Sequence, residues 1–269
     1  MAVAIPRAPR ICAMFCGLLT RAWGCHNPRV STLATALVAE RDPLDGLVDP
    51  RVGVATDFAP SSDTLLIVFA GLGPTHGMPR FEFLRTAASL PVQRLYVCDH
   101  ERAWYHRGVR GLGTSIRSTA DALHALIAES GARRVVTTGN SAGGYAALLF
   151  GHLLGVDAVV AFAPRTSVGW GRRVLHRDTR RWREQVTLSR RGGPEREFGD
   201  LRRVLAGGTR FGDAVVHYAA GCRLDAVHAR RLSGVPNVVM YPHAHRGHGL
   251  AQALRADGRL ARLLAAAVA

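Results

Sequence analysis

The chain has 269 residues, 48% hydrophobic and 20% charged, enough to bury a full core and too apolar for a disordered segment. A formal charge of +15 invites a nucleic-acid reading, yet all 35 basic residues are Arg. With abundant Ala and Gly this points to coding bias, and no nucleic-acid motif accompanies it, so no nucleic-acid partner is expected. The five cysteines, at 12, 16, 25, 98 and 222, are too few and scattered for a disulfide framework, which suits a reducing, cytoplasmic setting.

Residues 1–30 are the least domain-like. Arg7 and Arg10 precede a short apolar run, 11–19, and no acid occurs before Glu40. This faintly resembles an export signal, but the run is about half the length that spans a bilayer. A poorly ordered N-terminal segment is expected, followed by one domain over 31–269. Cys12, Cys16 and Cys25-His26 match no standard zinc spacing, so no metal is expected there.

Apolar positions at 33, 34, 37 and 38 predict a short helix over 31–41. Residues 51–58 read as an edge strand. Residues 64–70, T-L-L-I-V-F-A, form a continuous apolar run expected of a strand buried on both faces. It ends in Gly71-Leu72-Gly73-Pro74, a turn at a strand's carboxyl end, where ligands bind in open α/β sheets. A helix over 81–90, a strand over 93–98, a loop at 104–108 and a long helix over 114–130 follow, with Gly131 as its C-cap.

Val135 to Thr138 are four β-branched residues in a row, then comes Gly139-Asn140-Ser141-Ala142-Gly143, then an Ala- and Leu-rich helix. Strand, G-x-S-x-G and helix in that order define a nucleophile elbow, which holds the central side chain clear of the sheet. Further strands are expected at 157–163, 214–219 and 237–241, a helix at 225–232, and one last helix over 249–268. The alternation predicts a mostly parallel, doubly wound sheet with helices on both faces. Residues 165–203 break the rhythm with twelve Arg against five acids. They read as a helical insertion, at about 165–210, that caps the site.

A serine hydroxyl needs a base, and the base needs an orienting carboxylate. After an elbow the order is Ser, acid, His, with the last two in loops beyond later strands. Asp225 follows the strand at 214–219, and His248 follows the strand at 237–241 between two glycines. Asp213 would sit at the wrong end of the sheet. His245 is an alternative base, and His243, His245 and His248 could instead bind a metal, although no carboxylate or Cys lies beside them. The amides of Ala142 and Leu72 are the candidate oxyanion donors. Trp170 and Trp182 are candidate apolar substrate contacts, and Arg172, Arg173, Arg180 and Arg181 candidate contacts for a negatively charged substrate.

On these residues the chain resembles the α/β-hydrolase superfamily over roughly residues 50–269. Phe81-Glu82-Phe83, Trp104-Tyr105, Ser141 to Tyr145, Ala161 to Pro164 and Gly247-His248 are similar to a bacterial group of such hydrolases. The resemblance implies a serine hydrolase acting on an ester, thioester or related acyl bond, free or carrier-linked, through Ser141, Asp225 and His248 without a cofactor. Asn140 and the absence of a His before Gly71 depart from the usual pattern. The competing reading is a catalytically idle hydrolase fold that binds an anionic ligand or carrier.

Overall fold

The computed structural model describes residues 53–58, 62–72 and 83–269, all within the compact unit Asp42–Ala269. The expected N-terminal segment, the helix over 31–41 and Cys12, Cys16 and Cys25 lie outside the described residues.

Seven strands form one sheet in the order β1-β3-β2-β4-β5-β6-β7. They are β1 Val54–Asp57, β2 Thr64–Phe69, β3 Gln93–Val97, β4 Arg134–Asn140, β5 Ala158–Phe162, β6 Asp213–Ala219 and β7 Val238–His243. β1 pairs antiparallel with β3, and every other pair is parallel. The apolar run of β2 is explained by its place: it lies between β3 and β4 and is covered on both faces. Leu65, Ile67 and Phe69 join one core cluster, and Leu66 and Val68 the opposite one, the two-residue alternation of a pleated strand.

On the first face lie α2 (Ile116–Ser130), α3 (Ala142–Leu154), α6 (Leu201–Leu205) and α7 (Arg223–Arg230); on the second lie α1 (Leu84–Ala88), α8 (Leu250–Ala256) and α9 (Arg259–Val268). The remaining helices, α4 (Trp170–His176) and α5 (Trp182–Arg190), belong to the arginine-rich segment. Ser115 and Ser118 cap α2 reciprocally, a bracket the sequence reading did not single out, and Gly131 ends it at φ 66° as expected.

The last helix corrects the expectation of one continuous element. Its apolar period runs through 249–268, but Gly258 takes φ 73° and Asp257 Oδ1 accepts from the Arg259 amide at 3.0 Å. A left-handed glycine followed by a side-chain-capped amide ends one helix and starts the next. No helix among the described residues is long and apolar enough to cross a membrane.

Candidate active site

The elbow sits where β4 meets α3. Ser141 has φ 56° and ψ −107°, a conformation that costs a non-glycine residue free energy and persists only where surroundings enforce it. The enforcement is visible in three backbone bonds. Ser141 N donates to Phe162 O at 2.9 Å, while Ser141 O accepts from Tyr145 N at 3.0 Å and Arg165 N at 3.1 Å. Close packing explains the flanking glycines: a Cβ on Gly143 would overlap the Phe69 carbonyl, and one on Gly139 would overlap Gly143. α3 is buried through Phe150, so the strained turn is packed between the sheet and a buried helix.

The candidate base and acid arrive on two loops bonded to each other. Ala220 N donates to His243 O at 2.9 Å and Gly221 N to His245 O at 3.0 Å. This ties the chain after β6, which leads to Asp225, to the chain after β7, which leads to His248. His248 Nε2 lies 3.1 Å from Ser141 Oγ, and His248 Nδ1 lies 2.7 Å from Asp225 Oδ1. An ionised carboxylate can only accept, so Nδ1 carries the proton and Nε2 is left to accept from the serine hydroxyl. Burial alone would raise the Asp225 carboxyl, but the hydrogen bond from His248, with the charge and hydrogen bond of Arg180, holds it below the ordinary carboxylate range.

Ala142 opens α3, whose first amides have no intrahelical partner. Phe69 is level with Gly139 in the β2–β4 register, which carries Gly71 and Leu72 past the same end of the sheet. His243, by contrast, turns to His217, with His243 Nε2 3.0 Å from His217 Nδ1. His243 and His248 therefore face different partners. Asp213 begins β6, at the far end of its strand from Asp225.

The six candidate substrate contacts separate into three places. Residues 168–199 leave the sheet and return to their start: Val168 N donates to Gly199 O at 2.9 Å, and Ser167 bridges to Asp200. Inside this excursion Trp170 and Trp182 pack edge to face with ring centres 5.0 Å apart. Trp170 and Arg172 line one open cavity, and Arg181 and Trp182 line a second, with Glu101 and Arg102. Arg173 and Arg180 turn inward, joined by a bond from the Arg173 guanidinium to the Arg180 carbonyl.

Arg180 reaches the candidate site itself. Its Nη1 lies 2.8 Å from Asp225 Oδ1 and 3.2 Å from His248 Nδ1, and its Nε lies 3.1 Å from Asp178 Oδ1. Two N–H donors gain nothing from each other, so the bond that matters is to Asp225, whose Oδ1 serves both His248 and Arg180 while Oδ2 is buried without a partner. Asp178 is a buried hub that sequence reasoning missed. Arg165 contacts it at 3.3 Å and His228 at 3.4 Å. Burial works against its charge, yet the bonds from His228 and Arg180 and the nearby guanidinium of Arg165 keep the carboxyl far below its usual range. A signal existed: Asp178 is the first acid after Asp157 and stands among arginines at Arg177 and Arg180.

This sheet order, with an elbow after its central strand, is the α/β-hydrolase fold, and solved structures of that fold are similar to the chain. The capsule O-acetyltransferase of Neisseria meningitidis serogroup A matches with TM-score 0.56 at 14% identity, over 78% of this chain and 90% of its own. An α/β hydrolase from a sediment metagenome of the Mar Chica lagoon, Morocco, matches at 0.51 and 14%, covering 79% and 94%. The fluorophosphonate-binding serine hydrolase F of Staphylococcus aureus matches at 0.50 and 12%, covering 77% and 91%. No family model and no curated protein sequence matches the chain.

Proposed function

We propose that the protein is a serine hydrolase that cleaves an ester, thioester or related acyl bond, with Ser141 as nucleophile, His248 as general base and Asp225 as orienting acid. The observation that carries this reading is the run of contacts from Ser141 Oγ through His248 to Asp225, 3.1 and 2.7 Å, mounted on a strained elbow.

Ser141 Oγ attacks the acyl carbon as its proton passes to His248 Nε2. The oxygen of the tetrahedral intermediate meets the amides of Ala142 and Leu72. Collapse breaks the bond to the leaving alcohol or thiol, which takes the proton from Nε2 and leaves Ser141 acylated. Water then attacks the ester by the same route in reverse, releasing the acid and the free serine. In this reading residues 168–199 cap the site, with Arg173, Arg181 and Trp182 as candidate contacts for an anionic substrate, while Trp170 and Arg172 line a separate cavity. Arg180 is assigned to positioning Asp225, because its charge is matched by two carboxylates.

Hydrolase neighbours support the hydrolytic reading, whereas the meningococcal neighbour is an O-acetyltransferase. The two outcomes part only at the acyl-enzyme, where water or an alcohol is the acceptor. Rapid mixing with p-nitrophenyl acetate tests this. The expected result is a burst of one equivalent of p-nitrophenol per protein, then steady turnover in water alone. A burst that turns over only after alcohol is added would replace hydrolysis by transfer, and no Ser141-dependent release would overturn the reading.

A further inference from the structure

We propose that the open cavity beside α4 is a binding site for a small phosphorylated molecule carrying two or more negative charges. The cavity has a volume of about 730 Å³ and is walled by residues of 169–175 and 192–203, a size that takes a nucleotide-scale ligand. Neither Ser141, Asp225 nor His248 lines it. Its polar wall is Arg172, Arg196 and Arg203, and Trp170 and Leu175 supply apolar surface.

The charge at this wall is not compensated from within. Arg196 and Arg203 are exposed and enter no ion pair among the described residues. Asp200 is the acid in the lining, and it is occupied: Arg231 pairs with it, Arg172 approaches at 3.6 Å, and it caps α6 by accepting from the Arg202 amide at 3.1 Å. Two arginines without an ion pair among the described residues and a third held loosely therefore line one cavity. Guanidinium groups match phosphate oxygens two at a time, so a di-anion answers this wall where a single carboxylate would leave most of it unmet. Leu175, 66% exposed on the rim, and the half-buried Trp170 indole favour a ligand with an apolar or ring-bearing part over a bare polymer. The site stands apart from the serine chemistry and does not rest on it.

The test is calorimetric titration of the whole protein with ADP, pyrophosphate and adenosine, in the parent and in Ser141→Ala, with tryptophan fluorescence reporting on Trp170. ADP should bind saturably and equally to both proteins, pyrophosphate should compete with it, and adenosine should bind at least tenfold more weakly. Arg196→Ala with Arg203→Ala should weaken ADP at least tenfold. Arg107→Ala with Arg262→Ala, which removes the same charge elsewhere, should leave it within twofold. Absence of saturable ADP binding to the parent protein, adenosine binding as tight as ADP, or equal losses from the two double variants would overturn the proposal.

Discussion

At Ser141 the geometry asks for a hydroxyl in a backbone conformation that offers the side chain little else to do. Replacing Ser141 by Ala should lower turnover by about a thousandfold or more, with the thermal midpoint nearly unchanged. His248→Ala should be as damaging, and the double variant hardly worse than either single one, because residues acting as a unit lose their effect together. If His245→Ala were the damaging change, His248 would not be the base. A second comparison concerns packing alone. A Cβ on Gly143 would overlap the Phe69 carbonyl, whereas one on Gly71 would meet Asn140 O at 3.6 Å, an ordinary contact. Gly143→Ala should therefore cost about 3 kcal/mol or more, and Gly71→Ala less than about 1 kcal/mol. Urea unfolding measures both, and equal costs would mean that the elbow is not packed as described.

At the scale of elements, the arginine-rich segment is tied to the proposed triad through one side chain. Arg180 lies between the buried carboxylates Asp178 and Asp225, so its removal leaves both short of a partner. Arg180→Ala should lower stability by roughly 3 kcal/mol and turnover by about tenfold to a hundredfold. Added methylguanidinium should restore part of the rate, an effect that a merely structural defect would not show. Little of this was legible in the sequence. Twelve arginines between 165 and 203 announce positive charge, but where each guanidinium points depends on how α4 and α5 close back on residue 200. The elbow was legible because its constraint is local: β-branched residues make the strand, and two glycines make room for a neighbouring carbonyl and helix. Asp225 and His248 were proposed from strand order together with the glycines on either side of His248. The break at Gly258 was hidden because the leucine period of the final helix continues through it.

Across the whole molecule, buried histidines govern the response to acid. Burial lowers His106 to about 3 and His228 to about 4, and burial together with His243 lowers His217 to about 4. A histidine held below its unfolded value of about 6.5 adds stability above that pH and loses it as pH falls toward the folded value. Asp99 has the opposite sign. Burial raises it to about 6 against the bonds from the Tyr105 and Ala103 amides, so its contribution is lost as pH rises from about 4 to 6. Three histidines outweigh one aspartate, and unfolding near pH 5 should take up about two protons. Stability should then fall by about 2–3 kcal/mol per pH unit on acidification from 6 to 4.5. Urea unfolding across this range checks the slope, and a flat or rising profile would contradict it.

The central claim is that Ser141 is an activated nucleophile, and covalent labelling tests it most directly. The protein and its Ser141→Ala and His248→Ala variants would be treated with a fluorophosphonate and the adduct located by peptide mass spectrometry. The account predicts one adduct per chain, on Ser141, in the parent protein, with none in the serine variant and labelling slowed by orders of magnitude in the histidine variant. An unlabelled Ser141 in the folded parent, or labelling that persists at full rate without His248, would contradict it.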